Sequence, residues 1–373
     1  MSGEQHVSDA GRPADGAAAL PAGVTLRPWA EGDDLRLLEV WGDPADVQQH
    51  QDRAMLAPDS AAPWRRTLVA EEDGVPVGAG TVFAQSLHPR RLWLYLEVAP
   101  TARRRGIGSA LLGALRSAAE QAHAAGEVTT THLKTRFAVA SRVPVTTGRD
   151  DDGADGTAGD AAADTAQAPG EEAGAAHSAQ VAGTEAFLVA AGFTPVQRSR
   201  RVAVAPGSIA LPPLRDEEHP DGAVLEEAST GSVELTRAVA AFYDAVHGWD
   251  PSQMSVGAAQ QLILGPTTGA SGAVVLRDAP KEEGGTVRAF AVSYTAERQD
   301  APADVFLGWD PELPLEDAQL AAGHLLAMLV AQHPVQVEVD EAMPALEPIL
   351  DGLIGAKAAL TLVDTRIWAT DPA

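Results

Sequence analysis

The stretch from Leu92 to Ala122 constrains this chain more than any other. A run of bulky apolar residues, Leu92-Trp93-Leu94-Tyr95-Leu96, reads as a buried strand that continues to Val98 and ends at Pro100. Ser109–Ala125 reads as a helix with an apolar stripe at helical spacing (Ile107, Leu111, Leu115, Ala118, Ala122), and Gly126 ends it. The turn between them holds Arg103, Arg104, Arg105, Gly106 and Gly108. A helix start exposes backbone N–H groups that lack acceptors, and the macrodipole adds positive potential there. Glycine lets the backbone approach a bulky anion, and adjacent arginines add charge-assisted bonds. The expected ligand is a phosphate or pyrophosphate. A nucleotide P-loop needs Gly-Lys-Ser/Thr at its end, which is absent. A dinucleotide fingerprint needs a third glycine where Leu111 stands, although Gly113 lies nearby.

The flanking sequence supplies a mixed α/β set of elements. Val24–Arg27 reads as a strand, and Asp33–Trp41 as a helix capped by Asp33 or Asp34 with Leu35 and Leu38 inward. A hairpin turns at Asp73-Gly74, and Thr130–Ala140 is a further strand. From Asp150 to Gln180 there are eight acidic residues, no Lys or Arg, and no aliphatic residue except Ala. Such a segment buries too little apolar surface to offset its ordering entropy, so it reads as a solvated insertion, bounded at 144–182. A short helix (Thr184–Ala191) closes at Gly192-Phe193, and a strand follows over Val196–Val204. The expected organisation is a disordered tail over 1–22, a first domain over 23–205, a Pro-rich linker over 206–221 and a second domain over 222–373.

The second half reads as a repeat of the first. Trp41-Gly-Asp-Pro44 answers Trp249-Asp-Pro251, and Val98-Ala-Pro100 answers Trp309-Asp-Pro311 at an offset of 211. Carried forward, that offset sets Gly106 against Asp317, Gly108 against Gln319 and Arg103 against Pro314. Glu316 and Asp317 suit a first helical turn but repel phosphate. The second half therefore reads as degenerate. Its Phe242, Tyr243, Trp249 and Trp309 are expected to fill a core. In its Leu315–Gln332 helix, Leu320, His324, Leu325 and Met328 fall near one face. His50 and His88 are placed in loops and given no role.

The turn resembles the signature of the GNAT superfamily of N-acetyltransferases, Arg/Gln-x-x-Gly-x-Gly/Ala after a strand ending Val-x-Pro. Arg103-Arg104-Arg105-Gly106-Ile107-Gly108 and Val98-Ala99-Pro100 match it. The resemblance implies two tandem GNAT-like domains, each a twisted mixed sheet flanked by helices and splayed after the fourth strand. The layout is similar to tandem members with one degenerate half, mycothiol synthase among them, without identifying an acceptor. Acetyl-CoA is the implied acyl donor and a primary amine the implied acceptor. N–H groups from Arg104 through Arg105, Gly106, Ile107, Gly108 and Ser109 to Ala110 would hold the pyrophosphate, and Leu111 completes the implied cofactor-binding set. Arg103 would support the turn, and the Val98–Pro100 segment would pair with pantetheine as an added strand. N–H groups near Leu96–Val98 would polarise the thioester carbonyl. Attack by the amine is direct, so no enzyme nucleophile is needed.

Many members place a tyrosine where this chain has Leu188, which has no proton to give, and neither has Phe187. Glu97 is the carboxylate nearest the implied reaction centre and is the candidate general base. Tyr95 and His132, placed on strands near the same cleft, read first as packing residues.

Composition narrows the rest. With 52 Asp+Glu against 27 Lys+Arg the formal charge is −25, which excludes a general nucleic-acid binder and disfavours an anionic membrane surface. It steers cationic acceptors inward. The absence of cysteine excludes disulfides, thiolate zinc sites and cysteine nucleophiles, and no metal is expected. No apolar run approaches a membrane span and residues 1–22 lack a signal-peptide pattern, so a cytoplasmic protein is expected. The leading function is an acetyl-CoA-dependent N-acetyltransferase acting on a small amine. The alternatives are a non-catalytic acyl-CoA-binding or regulatory module and an acidic interaction scaffold.

Overall fold

The computed structural model describes residues 20–44, 47–141, 171–220, 222–295 and 302–371. The chain divides into two compact units. The first comprises the chain up to Asp43, Asp52–Ala84 and Leu92–Thr131; the second comprises Pro44–Gln51, Gln85–Arg91 and His132 onward.

The first unit holds β1 (Val24–Pro28), α1 (Asp33–Trp41), the end of α2 (Val47–Arg53), β2 (Ser60–Ala61), β3 (Trp64–Glu72), β4 (Val75–Phe83), β5 (Leu92–Val98) and α3 (Ile107–Ala124). Its strands run in the order β1-β3-β4-β5, every pair antiparallel, with β2 on β3. The two faces of β5 do different work because side chains alternate along a strand. Leu96 and Val98 join Ile107, Leu111, Ala99 and Ala102 in the core under α3. Tyr95 packs with Leu37, Leu56, Val69 and Ala79 on the side of α1. β4 carries glycine where α3 lies closest: a Cβ at Gly78 would stand 3.1 Å from Ile107 Cγ2.

One helix face differs from expectation. Leu35 is 63% exposed and Leu38 41%, while Asp33 and Leu37 are buried. Arg27 grips Asp33 through two 2.7 Å bonds and also reaches Glu71. That ion pair sets the rotation of α1, so the inward row starts at Asp33 and passes through Leu37. The cap position is Gly32 rather than either aspartate.

The second unit holds β6 (Leu133–Ser141), α4 (Glu171–Ala190), β7 (Thr194–Val204), β8 (Val224–Ala228), α5 (Val233–Val246), α6 (Val256–Ala259), β9 (Ala270–Arg277), β10 (Val287–Tyr294), β11 (Ala303–Trp309), α7 (Leu315–Leu329), β12 (Val335–Asp340), α8 (Glu347–Gly355) and β13 (Ala359–Ala369). Its strand order is β6-β13-β7-β12-β11-β10-β9-β8. All pairs are antiparallel except β11 with β12, which run parallel over three register positions, Ala303↔Val335 to Val305↔Val337. Two strands are exchanged. β13, the last, lies between β6 and β7, while β7 lies between β13 and β12. The fold is mixed α/β, with helices flanking the sheet of each unit.

The core of this unit centres on Phe242, whose ring meets Phe290, Phe306 and Trp309 at centroid distances of 5.7, 5.8 and 4.8 Å. In α7 the buried row is Ala318, Ala321, Ala322, Leu325 and Leu326. Leu320 lies outside it, 58% exposed.

The acidic insertion needs a correction at its C-terminal end. Residues 142–170 lie outside the described residues, but α4 begins at Glu171 and runs unbroken through Gln180 into the short helix expected from Thr184. Poor burial says nothing against intrinsic propensity, and alanine is the best helix former. His177 Nε2 also meets the Val139 carbonyl of β6 at 2.9 Å. Of the expected tail, residues 1–19 lie outside the described residues. No helix among the described residues is long and apolar enough to cross a membrane.

Candidate active site

The eight residues from 99 to 106 carry the chain from β5 to α3. Ala99 N–H donates to Val77 O at 2.9 Å, which ends β5 against β4, and Pro100–Ala102 form a single 3-10 turn. Arg103 Nε donates to the Val98 carbonyl at 3.0 Å and ties the turn back to its strand. Arg104 and Gly106 both take left-handed conformations, φ +63° and +88°. Arg105 turns its guanidinium onto both carboxylate oxygens of Glu72. Glu72 is held below the usual carboxylate range by that contact. Ile107 and Leu111 are fully buried and anchor the first turn.

No side chain caps α3. The contrast with α5 is direct: Ser232 accepts there from Leu235 N–H. Gly106 is exposed, and a Cβ placed on it would meet nothing within 4 Å. Ala110 N–H donates to Gly106 O at 3.0 Å. The free donors at the helix start therefore narrow to Gly106, Ile107, Gly108 and Ser109. Ala110 gives its N–H to the helix, and Leu111 contributes packing. This open backbone cradle fits a diphosphate.

Glu97 lies on the opposite face of β5 from Leu96. Arg53, from the end of α2, holds it by Nε to Oε2 and Nη2 to Oε1, both 2.9 Å. Tyr95 donates its hydroxyl to the same Oε2 at 2.6 Å. Burial, then the charge of Glu97, push the Tyr95 phenol well above its ordinary pKa of 10, so it stays a donor. Arg53 Nη1 also donates to Gly42 O at 2.6 Å, and its guanidinium lies 5.5 Å from the Trp41 ring centroid. Spacing could not reveal Arg53, which stands 44 residues from Glu97 in sequence.

The other candidates sit in the second unit. His132 precedes β6 rather than lying in it, and is exposed. Leu188 is buried in α4, and its carbonyl accepts from Phe193 N–H at 2.9 Å.

The sequence reading also missed a buried polar cluster in that unit. His50 lies in α2 rather than a loop. His88, passed over, is buried, with Nδ1 2.7 Å from Asp250 O and Nε2 2.9 Å from the Tyr243 hydroxyl. Lys134 and Asp250 form an ion pair that is almost wholly buried, with Arg91 beside it. His247 stacks on Tyr243 at 3.8 Å, and burial pulls its pKa down to about 4. The only sequence signal was the Trp249-Asp250-Pro251 motif.

The second unit's counterpart of the β5–α3 turn runs from β11 to α7 through five residues, 310–314. It is three residues shorter. Matching the strands keeps the offset of 211, but the helix starts, Ile107 and Leu315, differ by 208. Gly106 therefore corresponds to Pro314, not to Asp317. Glu316 and Asp317 occupy the first turn of α7, and Asp317 Oδ2 lies 3.5 Å from Arg288 Nη2.

Residues 32–139 match the acetyltransferase (GNAT) family model. No curated protein matches the chain. Among solved structures, the chain is similar to a GCN5-related N-acetyltransferase from Sphaerobacter thermophilus, with 12% identity and a TM-score of 0.54 over 94% of this chain and 96% of that one. It is also similar to a tandem GNAT protein from the clavulanic acid biosynthesis pathway, with 16% identity and a TM-score of 0.50 over 94% and 99% of the two chains. At these identities the likeness is one of fold.

Proposed function

We propose that this chain, an acyltransferase carrying a domain of the GNAT acetyltransferase family, moves an acetyl group from acetyl-CoA to the primary amine of a small molecule. The observation that carries the reading is the start of α3, where Gly106 takes φ +88° and no side chain caps the first N–H groups. Gly106 to Ser109 would hold the pyrophosphate, with Arg103 bracing the turn through Val98 O. Val98 to Pro100 would pair with the pantetheine chain. Acetyl-CoA supplies the activated thioester. Backbone N–H groups near Leu96–Val98 would stabilise the oxyanion, and Glu97 would accept the amine proton. The charge of −25 favours cationic amines by steering. This acyl donor and an acidic surface fit a cytoplasmic setting, with no nucleic acid or membrane as partner.

A second reading, a non-catalytic acyl-CoA-binding module, draws on Leu188, which carries no proton donor where many family members have tyrosine. One experiment separates the two. Calorimetry with acetyl-CoA is paired with thiol release across amines, amino acids, aminoglycosides and peptides. Binding with turnover is expected. Binding without thiol release selects the module, and absence of binding removes both readings.

A further inference from the structure

We propose that Arg53 is a positioning residue for acetyl transfer: with the Tyr95 hydroxyl it clamps the Glu97 carboxylate in one orientation on the α1 side of β5, where Glu97 takes the proton of the attacking amine. This rests on the transfer reading above.

Three observations meet at this carboxylate. First, the pairing is bidentate and sheltered, with the Arg53 and Glu97 side chains 12% and 9% exposed. A planar guanidinium spanning both oxygens fixes the plane of the carboxylate as well as its charge. Second, the clamp comes from another element. Arg53 closes α2, and its remaining donor contact to Gly42 O fixes it to the residue that ends α1. Third, Tyr95 supplies a donor that keeps its proton, because burial and the negative charges of Glu97 and Asp52 all oppose its ionisation. Arg53 and, through Tyr95, Asp52 are charged groups beside this carboxylate. Ala79 pairs with Glu97 across β4 and adds no charge.

The step balances without another reagent. The amine nitrogen bonds to the thioester carbon, and Glu97 takes the nitrogen's proton as the C–N bond forms. The C–S bond breaks with its electron pair on sulfur, which takes a proton from water, and Glu97 then releases its proton to solvent. Held by the clamp, the carboxylate need not search for its rotamer.

The test uses the full chain and reads acetyl-CoA affinity and the kcat and KM of thiol release. Glu97→Gln should lower kcat by about 100-fold. Arg53→Met should lower kcat by roughly tenfold while leaving acetyl-CoA affinity unchanged, because the pyrophosphate turn lies on the other face of β5. Arg53→Lys should recover part of the lost kcat. If Arg53→Met does not fold, the lysine variant carries the test, because a single ammonium cannot span both oxygens. A wild-type rate in these Arg53 variants, with only the melting temperature lowered, would overturn the proposal and leave a structural tie to Gly42. Glu97→Gln at the wild-type rate would overturn it as well. Wild type that releases no thiol defeats the transfer reading and this proposal together.

Discussion

Two turns with the same place in the order of elements, one before α3 and one before α7, differ in the property that matters for an anion. The first spends eight residues between strand and helix and reverses its backbone at Arg104 and Gly106. The second spends five, starts its helix after Pro314, and places Glu316 and Asp317 in the first turn. Both helices present orphan N–H groups, as every helix does. The surroundings make the difference. Length and a left-handed glycine open a cradle in one, while two carboxylates meet the macrodipole in the other. The proposed phosphate site thus rests less on the helix than on the three extra residues of its turn.

The largest expected effect breaks the first turn. Gly106→Asp should weaken acetyl-CoA binding at least 100-fold by calorimetry, as roughly 3 kcal/mol of lost charge-assisted contact and backbone strain require. Gly106→Asn tolerates the left-handed conformation, so its retained affinity would separate charge from strain. Pro314→Gly in the second turn should gain no acetyl-CoA binding; measurable affinity there would show that the three missing residues are unimportant. Next in size is Gly308→Ala in β11. Its Cβ would fall 2.4 Å from Phe290 Cζ and 2.8 Å from Phe242 Cδ1, rings locked in the core. A loss of about 1–3 kcal/mol is expected in denaturant titration, with acetyl-CoA affinity intact.

A smaller effect distinguishes carboxylates paired in the first unit from one left buried in the second. Burial, with the charge of Glu338 next, raises Asp340 from 3.8 to about 7. The folded chain therefore holds a proton that the unfolded chain has lost between those values, and stability falls as pH rises through that window. Asp340→Asn should remove this slope and gain on the order of 1–3 kcal/mol over wild type at pH 8 relative to pH 4. Equal slopes in thermal melts of the two proteins would refute the assignment. The smallest effect is Asp317→Asn, which removes an exposed charge from the first turn of α7 and should cost about 0.5 kcal/mol, falling with added salt.

Local features were legible. The change from strand run to helical stripe located β5 and α3. The glycine-bearing turn between β5 and α3 was legible for the same reason: its parts lie close together in the chain and act through local backbone rules. The rotation of α1 was not. Leu35 and Leu38 looked like an inward pair until Arg27 took Asp33 and turned the helix. α4 was read too short because acidity argued for solvent while alanine argued for helix, and only the second decides backbone conformation.

The sequence alone therefore determined most of the elements and the glycine-bearing turn between β5 and α3, since propensity and glycine conformation act over short spans of chain. Tertiary structure decided the rest. The exchange of β7 and β13 pairs residues about 170 positions apart, such as Thr194 with Ala369. The grip of Arg53 on Glu97 and the burial of His88 against Asp250 likewise join distant segments. No local preference encodes such meetings: strand edges offer the same hydrogen bonds to any partner, and a side chain's charge finds its counterpart only once the backbone has been folded around it.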